Sequence, residues 1–246
     1  MSQLMAHDLT YHVPEDASPT LRTHDDVAVA LRTAALSPDP TACTTVMAQA
    51  RLVGFDEADL IDICIVQAAR RLGDDWIDDA LGFVDVSIAT ARLQGLLRSL
   101  GRTLRADTAC DGDAATLLVV SAEQAHHTLG PSLIVAQLRR RGYSVGMLLD
   151  AGPGAVRSFL RRAPADAVFV SCGHTEKLVN LRPIVTEARK TQPSVRIVVG
   201  GPGISECSAA CRITGADHAT SDLEEALTLC GLNRTASQVT TVEMMM

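Results

Sequence analysis

Apolar residues recur at a spacing near 3.6 through the first hundred positions, then give way to short β-branched runs. The chain therefore divides into a helical half and an alternating half. Helical patterns over Asp25–Leu36 and Pro40–Leu52 precede a longer one that starts at Asp56, with Asp56 and Asp59 spaced as in a capping box. That helix carries Leu60, Ile61, Cys64, Ile65, Ala68, Ala69 and Leu72 on one broad stripe. Gly73 is expected to stop it and Asp74-Asp75 to open the next at its positive N-terminal end. The next helix bears Trp76, Ala80, Phe83, Val84, Ser87, Ile88 and Ala91 on one side and continues to about Leu100. Four helices with short connections predict a bundle spanning 21–104.

Residues 101–113, GRTLRADTACDGD, are polar without an apolar period and read as a linker. Strand-like runs follow at Ala115–Ser121, Tyr143–Leu149, Ala167–Ser171, Val195–Gly200 and Asp217–Thr220. Helical stretches near 131–141, 154–162, 176–191, 203–213 and Leu223–Leu229 alternate with them. This alternation predicts an α/β unit over 114–232: a Rossmann-like, five-stranded parallel sheet with helices on both faces. The polar lead, 1–20, and the tail, 233–246, are expected to be disordered.

Composition narrows the class. Hydrophobic residues make up 47% of the 246 positions, enough for a packed core, but aromatics only 3%, so Trp76 stands alone in an aliphatic chain. A net charge of -7 argues against autonomous DNA binding, which requires cations to neutralise phosphates. No run approaches the roughly 20 apolar residues of a membrane helix, and the N-terminus lacks signal-peptide character, so a cytoplasmic location is expected. Seven scattered cysteines without C-x-x-C spacing read as reduced thiols; Cys207 and Cys211, one helical turn apart, read as packing residues.

Ligands of open parallel sheets bind at the carboxyl ends of the strands, which directs attention to the loops there. After the first strand come Glu123, His126, His127 and Gly130. His127 projects three residues before Gly130, where a helix opens at Pro131. That arrangement suits axial ligation of a planar metal macrocycle, with the glycine admitting the macrocycle's tail. Ser171 ends the third strand and either caps the next helix or faces a ligand. Gly200-Gly201 after the fourth strand form either a plain turn or a place where backbone approaches a ligand. Dinucleotide, P-loop and nucleophile-elbow signatures are absent. The acidic cluster Asp74, Asp75, Asp78 and Asp79 reads as a solvated helix N-terminus. The run Arg139-Arg140-Arg141 reads as a helix C-terminus.

A helical bundle, then H-x-x-G at His127–Gly130, Ser171, and the Gly200-Gly201 pair, in this order on these loops, resembles the cobalamin-binding module. The resemblance extends over roughly 24–230. It implies His127 as the lower axial ligand to cobalt, with His126 the second choice. It also implies a dimethylbenzimidazole tail buried between Ser171 and Gly200-Gly201, and Trp76 covering the upper face. The segment HTLGPSLIVAQLRRRG makes the chain most similar to the AerR/PpaA-type cobalamin-binding antirepressors of photosynthetic bacteria. Two departures stand out: Ala125 replaces the carboxylate expected two residues before the ligand histidine. Val86-Ser87 replace a Glu-His pair found in DNA-binding cobalamin photoreceptors.

The resemblance implies a non-enzymatic regulator that binds adenosyl-, methyl- or hydroxocobalamin, is open to switching by light, and acts on a PpsR/CrtJ-type repressor protein of photosynthesis genes. A corrinoid carrier subunit of a methyltransferase is the enzymatic alternative, with His127 and Trp76 in the same places. A haem-binding sensor on the same fold is the third reading.

Overall fold

The structure, a computed structural model, describes residues 21–107, 114–123, 128–173 and 177–232. The expectations for 1–20 and 233–246 lie outside it. Helix α1 (His24–Leu36) starts at a reciprocal capping box, Thr23 with Asp26, and α2 (Ala42–Leu52) packs across it. Then α3 (Glu57–Asp59), a π-helical turn (Leu60–Ile65) and α4 (Val66–Ile77) run on as one rod. Asp56 caps this rod by accepting the Asp59 N–H at 2.7 Å. The stripe predicted from Leu60 to Leu72 is its buried side, and Leu60, Ile61, Cys64, Ile65, Ala68 and Leu72 sit in the bundle core with Val27, Leu31 and Met47.

Two boundaries differ from the sequence reading. Gly73 does not end its helix. The rod continues to Ile77, because a helical glycine costs only about 1 kcal/mol and the Arg32–Asp75 ion pair, 2.5 Å, holds the last turn to α1. The break comes at Asp79, whose φ of 55° is left-handed, and α5 (Phe83–Asp107) follows. Asp74 and Asp75 therefore lie in a last helical turn rather than a first one, and Trp76 belongs to α4. At its far end α5 takes in 101–107, so the linker begins later than its polar composition suggested.

The alternating half forms a parallel sheet ordered β2-β1-β3-β4-β5. Its strands are β1 (Thr116–Ala122), β2 (Ser144–Ala151), β3 (Ala167–Ser171), β4 (Arg196–Gly200) and β5 (His218–Thr220). Helices α7 (Pro153–Arg162) and α8 (Arg182–Thr191) cover one face, burying Val156, Leu160, Ile184 and Val185 against Leu118, Val120, Val168 and Val170. Helices α6 (Leu129–Arg140) and α10 (Leu223–Leu229) cover the other, with Val135, Leu138 and Leu227 against Leu117, Val119 and Phe169. Helix α9 (Cys207–Thr214) connects β4 to β5. Among the described residues no helix is long and apolar enough to cross a membrane.

One helix serves two cores. Leu133 and Ala136 of α6 belong to the bundle cluster, while Val135 and Leu138 belong to the sheet cluster. Both ends of α6 are tied to the bundle: Gln94 of α5 donates to the Thr128 hydroxyl before its first turn, and Arg140 pairs with Asp62 of the π-helical turn. Arg141 reaches Glu224 at the start of α10. The Arg139–Arg141 run thus does end a helix, and it also joins three elements.

At the amino edge of the sheet, Asp217 accepts from Arg189 at 2.6 Å and from the Ile197 N–H at 2.8 Å. Burial alone would push this carboxyl up, but the Arg189 hydrogen bond, the Ile197 amide and the guanidinium charge outweigh it and hold it below the ordinary carboxylate value. A depressed folded-state pKa contributes stability that is present above the unfolded value and lost as pH falls through the folded one. Arg189→Met raises the folded value. It therefore removes this contribution: its melting temperature is expected to lie below that of the wild type at neutral pH, with the gap closing as pH falls through the carboxylate range.

Candidate functional site

The carboxyl edge of the sheet is built by register. Ser121 pairs with Ser171, Ser171 with Gly200, and Gly200 with Thr220, so four strands end in one row. Partners in a parallel ladder point to the same face, and alternation along β1 and β3 places this row on the face covered by α6 and α10. All four residues are small, so the row leaves a shallow step where the preceding rows carry Val and Phe. Connections leave β1 and β3 on opposite faces, toward α6 and α8, and such a switch point opens a crevice outside the strand ends.

The two loops after β3 and β4 are joined through backbone. The Cys172 N–H donates to the Gly200 carbonyl at 2.7 Å and the Gly203 N–H to the Cys172 carbonyl at 3.2 Å. Glycine is required for this approach. Gly201 has φ of 128°, and a Cβ there would fall 2.4 Å from the Cys172 oxygen; one on Gly203 would fall 2.2 Å from the Gly173 oxygen. The glycines thus bring one loop against the other, a third possibility beside the plain turn and the ligand approach read from the sequence. Ser171 does not cap the next helix: a 3-10 turn (Leu178–Leu181) starts there with Lys177 at its N-cap, leading into α8. The serine stays at the strand end, half-buried.

The bundle stands over this edge. Helix α5 leads down to the start of β1 at the amino edge, so its earlier turns lie toward the carboxyl edge, where Gln94 meets Thr128. From Phe83 to Gln94 is eleven residues, about 16 Å of helix rising past the start of α6. That projecting segment exposes Phe83 (74%), Val84 and Ile88, and the adjoining end of α4 exposes Trp76 (40%) and Ile77. Together these side chains make an exposed apolar set above the strand ends.

His127 and His126 lie outside the described residues, as does His174. Their neighbours bracket them: Glu123 after β1 and Thr128 before α6. The Glu123 carboxylate rests against Gly152 after β2, where a Cβ would meet its Oε1 at 2.3 Å. Gly130, in the first turn of α6, has open space where a side chain would stand. Among the described residues no group of three or more His, Cys, Asp or Glu could hold a metal ion. The cysteines do not change this, since burial pushes the Cys64 and Cys230 thiols up to about 11 and also raises Cys211.

Sequence reasoning missed Ser121. Its hydroxyl is buried, with the residue 1% exposed, and has no hydrogen-bond partner among the described residues. A buried hydroxyl without a partner costs about 1–3 kcal/mol and points to an absent occupant. Together with the small-residue row, it fits the polar, ringed tail of a cofactor seated at this edge.

Comparison with known proteins gives the family. Residues 115–228 match the B12 binding domain family. A Rhodobacter capsulatus protein, described as an uncharacterized 20.5 kDa protein in the bchF-crtJ intergenic region, is 32% identical over 160 residues, 65% of this chain and 83% of that one. The monomethylamine corrinoid protein of Methanosarcina barkeri shares the fold, with a TM-score of 0.67 at 16% identity, covering 85% of this chain and 99% of that one. The match covers the sheet, its carboxyl-edge loops and the glycine pair, and the chain belongs to the B12 binding domain family.

Proposed function

We propose that the chain is a cobalamin-binding antirepressor that acts on a PpsR/CrtJ-type transcriptional repressor, using its cofactor as a sensor rather than as a catalyst. The observation that carries the regulatory part is the 32% identical relative, whose description sets it beside crtJ. The acidic balance of -7 agrees with work through a DNA-binding partner rather than on DNA itself.

Bound cobalamin supplies a cobalt ion with exchangeable axial ligands. His127 would be the residue that holds the cobalt. Ser171 and Gly200-Gly201 line the tail, and Trp76, with Phe83, Val84 and Ile88, shields the upper face from water. The chain's own contribution to signalling is α6. It begins one residue beyond Thr128, is latched there by Gln94, and packs into both cores. A change at the histidine loop therefore moves an element whose shift repacks the bundle, a population change between two arrangements.

A carrier role in a methyltransferase system is the second reading, favoured by the likeness of fold to a corrinoid protein. Ala125 weighs against it, because a carboxylate behind the ligand histidine stabilises the metal-bound form. The test begins with adenosyl- and hydroxocobalamin titrations read by absorption in darkness and after illumination. It continues with gel filtration against a PpsR/CrtJ-type repressor. A bound corrinoid spectrum with state-dependent co-elution is expected; haem uptake with a Soret band and no corrinoid binding would overturn the reading.

A further inference from the structure

We infer that Ser121 reads the nucleotide tail of the corrinoid and sets the preference for tailed over tail-less corrinoids. The inference rests on the cobalamin-binding reading above and adds to it a residue outside the H-x-x-G, Ser and Gly-Gly positions. Three observations meet at this side chain. Ser121, one residue before the end of β1, lies in the same row as Ser171 and Gly200, on the same face of the sheet, so whatever lies along that pair reaches Ser121 next. Its hydroxyl is closed to water and has no partner among the described residues, whereas Thr220 at the far end of the row is satisfied by Glu225. The row itself carries little bulk, running Ser121, Ser171, Gly200 and Thr220.

The chemistry follows from what a serine hydroxyl can offer. It is one donor with two acceptor positions, and its hydrogen turns to suit the partner. A heteroaromatic base detached from a metal exposes a ring nitrogen with an unshared pair in the plane of the ring, an acceptor with nothing to accept from in an aliphatic slot. Phe169, Val119 and Val198 precede the row on this face and supply the apolar walls. Ser121 O–H donation to such a nitrogen satisfies two groups that are each unfavourable alone. Without the tail, the hydroxyl stays orphaned, so the residue weakens the empty protein and strengthens the loaded one.

The test compares hydroxocobalamin, which carries the nucleotide, with cobinamide, which lacks it, against the wild type, Ser121→Ala and Ser121→Thr. Alanine removes the hydroxyl and adds no bulk; threonine keeps the hydroxyl. For Ser121→Ala, the expected results are hydroxocobalamin affinity about tenfold weaker, unchanged cobinamide affinity, and an apo melting temperature equal to or above that of the wild type. Ser121→Thr is expected to restore the preference. Equal weakening toward both corrinoids, no change toward either, or a lowered apo melting temperature would each overturn the assignment, the last by showing an ordinary structural hydroxyl. A wild type that binds neither corrinoid overturns the cobalamin reading itself. A wild type that binds both without preference overturns only the role of Ser121.

Discussion

His127→Ala is expected to abolish the histidine-ligated absorption spectrum of the cobalamin-bound protein and to weaken binding more than about a hundredfold. Loss of a mere outer partner of a metal ligand already costs about 10–100-fold, and here the ligand itself is removed. His126→Ala is expected to leave the ligated spectrum in place, because only His127 keeps the spacing to Gly130. Absorption titration with hydroxocobalamin, with circular dichroism to verify the fold, measures both. An unaltered spectrum in His127→Ala would remove the axial assignment, and the reverse pattern would shift it to His126. Ala125→Asp tests the departure from the family pattern in the opposite direction, since a restored carboxylate should tighten the bond by fixing the ring and raising its basicity.

Gly201→Ala is expected to cost about 3 kcal/mol or more, a fall of roughly 6–12 °C in melting temperature for a chain of this size. Two penalties add. A side chain at φ of 128° is strained, and its Cβ would lie 2.4 Å from a backbone oxygen that is held in place by its own hydrogen bond to Gly203. Gly73→Ala provides the contrast. It lies in the interior of the rod, with nothing within 4 Å of its would-be Cβ, and alanine there should stabilise by about 0.5–1 kcal/mol. Thermal melts of the two variants side by side distinguish a glycine demanded by geometry from one merely tolerated. Destabilisation by Gly73→Ala would mean that the helix does end there.

The strands were legible because both faces of the parallel sheet are covered. Burial on two sides selects uninterrupted β-branched runs, and Ala167–Ser171 is the same in pattern and in structure. The bundle stripe from Leu60 to Leu72 was legible for the corresponding helical reason. What could not be read were outcomes of competition between local signals and tertiary contacts. Gly73 and the paired aspartates looked like a stop and a start, yet the Arg32–Asp75 pair and the buried Leu72 carry the helix through. The π-helical turn leaves no mark in the apolar period.

The site was legible in outline and not in its depth. Gly200-Gly201 and Ser171 were singled out by motif, but the reason for the glycines, contact with the neighbouring loop, depends on strand order. Ser121 looked like one more small residue in an apolar strand. Its significance comes only from register with Ser171 and from the absence of a partner, neither of which has a sequence signature.

The double allegiance of α6 bears on how this protein can be taken apart. Cutting the chain between α5 and β1 looks like separating two modules, yet it would strip Leu129, Leu133 and Ala136 of their packing and leave Arg140 facing no carboxylate from Asp62. Neither fragment inherits a finished surface. Recombination at that point exchanges half an interface, so a bundle and a sheet from different parents should join only if both bring a matching helix seam. The two halves are better regarded as a single heritable unit, in which a substitution on one side of α6 is answered by a substitution on the other.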